Sequence, residues 1–261
     1  MRRMYVIGAA AIALVVLAVA VTASANSTAE NTTFDLQVGA KHPAKFGKRA
    51  GTPAKPKPVN LTLEMTGDTE PPGGSPSTST DVVIQLPSTH KWFGKKWPKS
   101  KRCSPETVEE KEACPSGSKI GDGKVLASNK NETTGQKLPE DIELTAFVLN
   151  SGGLGLFVEG TEPLQFAALL PGKISNKNTK ISVHIPDNVQ EPLAGIPTGI
   201  EDLTFTLNGK IKSNKKTYGA ISSVGCKNKK WKTVVTNIYR DGRNKDDDTV
   251  KCSAAKKKKN N

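Results

Sequence analysis

The densest chemical signal in the chain is the stretch from His90 to Arg102. Lys91, Lys95, Lys96, Lys99, Lys101 and Arg102 are interleaved there with Trp92, Phe93 and Trp97, so two of the chain's three Trp lie within it. Cationic side chains attract polyanions, and aromatic faces stack on bases or sugars or enter a membrane interface. A competing reading packs the aromatics into the edge of the fold and lays the lysine stems over them.

Catalytic patterns are sparse. No Gly-x-Ser-x-Gly elbow and no His-Glu-x-x-His occurs. Of the three His, His42 and His90 lie in basic surroundings that read as flexible, and His184 shares the polar side of a strand with Ser182. Asp241, Asp246, Asp247 and Asp248 could offer oxygens to calcium, but they lack the alternation of an EF-hand loop, and Arg240, Arg243 and Lys245 interrupt them. They read as a charged hairpin loop. The sequence therefore assigns no catalytic residue, no metal ligand and no cofactor. A glycosidase pair of carboxylates is set by the fold, but aromatics are only 5% of the chain, too few to suggest a sugar cleft.

The four Cys are better spent in bridges than as nucleophiles or zinc ligands, since CxxC-like pairs with His support are lacking. Of three possible pairings, Cys103 with Cys114 and Cys226 with Cys252 is the most local. A hairpin of 231–239 and 249–253 around a loop at 241–248 would set Cys252 opposite about Asn237. Cys226 must then reach it from the segment entering that hairpin, or from a neighbouring strand.

Disulfides imply export, and the N-terminus agrees. Arg2 and Arg3 precede an uncharged apolar run from Tyr5 to Val21, and Ala23-Ser24-Ala25 is a small-x-small cleavage site, with Ala23 and Ala25 as its small residues. The expectation is a signal helix over residues 1–25, removed before Asn26, with an uncleaved anchor as the alternative. Loss of those two arginines takes the formal charge from +13 to +11. For an exported basic chain the expected partner is an anionic wall polymer or a membrane surface. Nucleic acid is not expected, and no protein partner is identified.

The elements that must position these residues read as strands. Val59, Leu61, Leu63 and Met65 alternate with polar residues, as do Val82, Ile84 and Leu86. Further strands are expected over 142–149, 154–158, 180–185, 203–207, 218–224, 231–239 and 249–253, with a Pro/Gly/Ser/Thr-rich loop over 67–80. One short helix is expected, capped by Ser104, opened by Pro105 and ended by Cys114-Pro115. The fold class is all-β, an antiparallel β-sandwich with that one helix, over residues 59–253 as one sandwich or two smaller ones. Residues 26–58 read as a flexible basic segment holding one edge strand at Phe34, Leu36 and Val38, and residues 254–261 as a disordered Lys-rich tail.

Ala113-Cys114-Pro115-Ser116-Gly117-Ser118-Lys119-Ile120-Gly121-Asp122-Gly123, following Cys103, resembles a family of uncharacterised secreted proteins of actinobacteria. The likeness continues in Leu170-Pro171-Gly172-Lys173-Ile174, in Ile181 to Pro186, and in Cys226, Trp231, Tyr239-Arg240-Asp241-Gly242 and Cys252. It spans residues 59–259 and implies export, local disulfides and a β-rich fold, with no reaction to carry over. It also favours the packed reading of Trp97-Pro98, since that position is often apolar in the family. The Asp246–Asp248 region and the basic stretch before Cys103 depart from the pattern.

The expected function is an exported non-enzymatic protein that binds an anionic envelope component. A surface scaffold for another protein and an exported hydrolase are the alternatives.

Overall fold

The computed structural model describes residues 31–41, 49–70, 77–108, 114–130, 137–192, 196–240 and 242–255. The signal segment with Ala23 and Ala25, His42, Asp241 and the Lys256–Lys259 tail lie outside them.

The described residues form fifteen strands. The first five are β1 (Asn31–Lys41), β2 (Lys57–Glu70), β3 (Ser79–Gln85), β4 (His90–Trp92) and β5 (Lys119–Lys130). Then come β6 (Lys137–Val148), β7 (Leu154–Glu162), β8 (Phe166–Ser175), β9 (Lys180–His184) and β10 (Thr198–Leu207). The last five are β11 (Lys210–Ser213), β12 (Lys216–Gly219), β13 (Ile221–Ser223), β14 (Lys230–Tyr239) and β15 (Arg243–Lys251). Two one-turn helices, α1 (Pro105–Val108) and α2 (Asp187–Gln190), accompany them. The helix expected after Ser104 is α1; α2 has no counterpart in the sequence reading.

The expected all-β class forms. In place of two facing sheets, the strands pair antiparallel without a break in the order β15-β14-β3-β9-β8-β7-β6-β5-β10-β2, and β1 continues along β2. Cα atoms of β1 come within 8 Å of those of β15 and β14, so the two ends of the ladder meet and the sheet is rolled on itself. An alternation of period two is the same in a sandwich and a rolled sheet, so the sequence could not separate them. Curvature is helped by register shifts in β3, β5, β7 and β10, where an extra residue bends the strand and raises its twist.

The roll has one apolar inside. In β2, Val59, Leu61, Leu63 and Met65 are buried, Asn60 and Thr62 between them are half-buried, and Glu64 and Thr66 are exposed. Phe205 and Leu207 of β10, Val125 and Ala127 of β5, and Ile181 and Val183 of β9 join the same core. A second cluster lies on the outer face, where Phe147, Leu149 and Phe157 point away from it. Cys103 and Val108 cover them, with Cys114 and Leu169 against the edge. The α1 segment is thus packed on β6–β7–β8 and closed by the Cys103–Cys114 bridge, whose Cα atoms are 5.2 Å apart.

Candidate functional site

The His90–Arg102 stretch is divided by the fold. Trp92 is 4% and Trp97 2% exposed, and each indole N–H is spent on a backbone carbonyl. Trp92 Nε1 donates to Gly152 at 2.7 Å, and Trp97 Nε1 donates to Gly117 at 3.0 Å. Phe93 packs on Tyr218 with ring centroids 5.4 Å apart. These aromatics close one end of the roll, and the two indoles leave no face for a ligand. His90, expected in flexible surroundings, is fully buried in β4 with its ring edge-on to Trp231 at 4.6 Å.

Close approach fixes this corner. A Cβ on Gly94 would lie 2.2 Å from the Gly152 carbonyl and 2.5 Å from Trp92 Nε1, and Gly152 itself sits at φ 80°. Arg102 then holds the two 3-10 turns, 94–96 and 99–101, together. Its guanidinium donates to the carbonyls of Trp97 (2.7 and 3.0 Å), Lys95 (2.9 Å) and Asn150 (3.0 Å). It is a staple of the loop and not a free cation. Lys95, Lys96, Lys99 and Lys101 stay exposed around it, and Lys91 is half-buried.

Strand register extends this lysine group into a whole pole. β2 starts, β10 ends, β5 starts and β7 starts at the end of the roll that carries β4. The 176–179 turn, the β11–β12 hairpin and the 227–230 turn lie at the same end. Lys177, Lys210, Lys212, Lys215, Lys216 and Lys229 are exposed there. Residues 203–240 hold no Asp or Glu, nor do residues 163–186. Among the described residues of this pole the acids are Glu106 and Asp122, the latter 3.3 Å from Lys119.

The opposite pole carries the acids. Asp81, Asp141, Glu159, Asp187, Glu191 and Glu201 lie there, and three basic groups among them are paired. Lys137 meets Glu201 at 3.2 Å, Arg240 meets Glu191, and His184 Nδ1 lies 3.1 Å from Asp81. His184 is on the surface, as expected. Asp246, Asp247 and Asp248 are within strand β15 instead of a loop, with Asp247 2.7 Å from Lys232. Among the described residues no group of His, Cys, Asp or Glu is placed to hold a metal ion.

Two interior features were invisible in the sequence. A cavity of about 130 Å³ runs inside the roll, lined by residues of β2, β3, β5–β10 and α2. At ~24 cal/mol per Å³ such a void costs about 3 kcal/mol. The other is Glu140 of β6, fully buried, whose Oε2 accepts the Leu164 N–H at 3.0 Å while Oε1 has no hydrogen-bond partner among the described residues. Loss of hydration pushes its carboxyl above the ordinary Glu value, the Leu164 N–H opposes this, and the Asp141 charge adds to it.

The second bridge, Cys226–Cys252, closes the basic pole with Cα atoms 6.0 Å apart beside Ala50 and Trp231. Two disulfides fit an oxidising compartment outside the cytoplasm. No protein-family model matches the chain, and no curated protein matches it either.

Proposed function

We propose that this is an exported, non-enzymatic protein that binds an anionic polymer of the cell envelope through its basic pole. The observation that carries the reading is the separation of charge along the roll: exposed lysines at one end, with acids and paired bases at the other. Such a dipole orients the molecule toward a polyanion during encounter and keeps the acidic end away from it. The lysines act as a field, because the aromatics of the same stretch are committed to the core and Arg102 to its carbonyls.

Three turns of this pole support the reading. Asn176–Lys177, Asn214–Lys215 and Asn228–Lys229 all have positive φ, between 48° and 59°. The last two are two-residue turns, which favour Asn-Gly, while the first belongs to the four-residue 176–179 loop, where Asn178 is also left-handed; a side chain in this region costs on the order of 1 kcal/mol. Lysine at each tip gives up that energy and keeps a charge at the end of the roll. The resemblance to secreted actinobacterial proteins and the apolar run before Ala25 support export. Sequencing of secreted protein is expected to start at Asn26, and full-length chain confined to membranes would reverse that.

The test is co-sedimentation of the mature chain with isolated wall polymer over a salt series, with anionic vesicles as a comparison arm. Binding should weaken with salt by roughly one unit of log–log slope per phosphate contact. Lys95→Glu, Lys96→Glu and Lys99→Glu together should lower affinity and flatten the slope, while Lys245→Glu at the other pole should not. Equal loss from both variants, or no binding at low salt, rejects the reading. Preference for vesicles over polymer would move the partner to the lipid surface.

A further inference from the structure

We infer that the interior of the rolled sheet is a binding site for one uncharged, slim apolar molecule whose single polar end sits at the acidic pole. This goes beyond the basic pole and does not depend on it, since the two features occupy different parts of the fold.

The cavity of about 130 Å³ is bounded by Leu63, Val125, Leu144, Val158, Val183 and Phe205 among others, side chains that offer water no partner. A natural interior has few voids larger than one water, whose share of liquid volume is roughly 30 Å³. An apolar cavity of about 150 Å³ stays dry and accepts benzene or xenon. Eight strands contribute walls to this one, so it is a property of the roll's width and not a local packing fault.

The two ends of the cavity differ. Toward the basic pole Trp92, Trp97, Ile120 and Ile221 fill the roll. Toward the acidic pole its lining turns polar at Ser79, Gln190 and Thr198. Ser79 is 3% exposed and its Oγ has no hydrogen-bond partner among the described residues. Thr198 Oγ1 donates to Asn129 Oδ1, and Asn129 Nδ2, also buried, has no partner there. A buried hydroxyl or amide left unpaired costs free energy that a ligand's polar atom removes. Gln190 is spoken for: its Nε2 donates to the Ile185 carbonyl at 2.6 Å and its Oε1 accepts from Arg240 Nε at 3.0 Å.

Charge decides the ligand's polar end. Asp81, Asp187 and Glu191 lie at this pole and Glu140 is buried at it; the guanidinium of Arg240 there is already held by Glu191 and Gln190, so a carboxylate would meet an excess of acids. A hydroxyl both donates and accepts, which suits Ser79 Oγ on the lining. The class is therefore a short neutral single-chain alcohol of about six carbons, comparable in size to the benzene that such a void admits.

The test uses the disulfide-intact mature chain with benzene as a small apolar probe, and compares 1-hexanol with hexanoate by titration calorimetry. Saturable one-to-one binding of benzene is expected, with hexanol binding about tenfold or more tighter than hexanoate. Val158→Phe and Ile200→Phe each fill the cavity and should abolish benzene binding while the chain still melts cooperatively. Ser79→Ala should weaken hexanol and leave benzene unaffected. No saturable binding of either, or unchanged binding in a filled variant that melts cooperatively, overturns the site; hexanoate binding as well as hexanol overturns the polar end. Should neither filled variant fold, hexanol must raise the wild-type melting temperature with the logarithm of its concentration, and no shift overturns the proposal.

Discussion

Cys252 donates its backbone N–H to the carbonyl of Lys229 at 2.9 Å. The two residues extend the β14–β15 ladder one step past its last rung, Lys230 opposite Lys251. The hairpin is therefore closed by the Tyr239 N–H on the Gly242 carbonyl, with Ile238 facing Arg243, and Cys252 is nowhere near Asn237. Cys226 reaches it from the short segment that enters β14. The local pairing expected from the sequence is the one that forms, but by a different register.

That geometry sets the first prediction. The Cys226–Cys252 bridge spans 26 residues and ties the entry of β14 to the exit of β15. Chain-entropy arguments give about 3 kcal/mol for a loop of this size. Replacing both cysteines by Ser should lower the unfolding free energy by that order, read from denaturant midpoints. Mapping of the unreduced wild type should give Cys226–Cys252 and Cys103–Cys114 peptides only.

Arg102 supplies the second. Its fork meets three carbonyls that no single ammonium can span in the same geometry. Arg102→Lys should destabilise by about 1.5–3 kcal/mol and shift Trp emission to the red as Trp92 and Trp97 gain water. A loss of polyanion affinity with unchanged stability would instead place Arg102 among the ligand-facing cations.

The Asn–Lys turns give a third, because stability and binding should move in opposite directions. Lys215→Gly relieves a left-handed side chain, φ 59°, and should raise stability by up to about 1 kcal/mol. Combined with Lys177→Gly and Lys229→Gly, it should weaken salt-sensitive binding to wall polymer. A parallel rise in both would show that these lysines do not face the ligand.

What the sequence disclosed follows from what each residue had to satisfy. Strands such as β2 and β10 were legible because one face meets the core and the other water. β8 escaped because Phe166, Ala168 and Leu170 look inward while Leu169 on the other face is covered by the α1 cluster, which erases the alternation. Pro171 and Gly172, residue types depleted in strands, pair with Gly155 and Leu154 within it. Asp246–Asp248 read as a loop because Asp disfavours strands, and the ladder with β14 overrides that. Of the basic site, the lysines were legible and the fate of the aromatics was not. The extent of the pole needed strand register, although the acid-free run 203–240 was there to be read. The cavity is a difference of volumes across eight strands and leaves no local signature.

Glu140 carries the last prediction. Burial raises its carboxyl in the folded chain above the unfolded value of about 4.3. Between those two values the folded state holds a proton that the unfolded state has released, so stability falls as pH rises through this window. Below the unfolded value both states are protonated and the penalty vanishes; above the folded value it is complete. Glu140→Gln keeps an oxygen for the Leu164 N–H and removes the charge. The variant should melt higher than wild type at neutral pH, and the difference should shrink to nothing as pH falls toward about 4. Melting curves of both proteins from pH 4 to 8 check this. A difference that stays constant over the series would mean that Glu140 does not titrate with a raised value, and a variant less stable at pH 8 would mean that its ionised form is held by a partner other than Leu164.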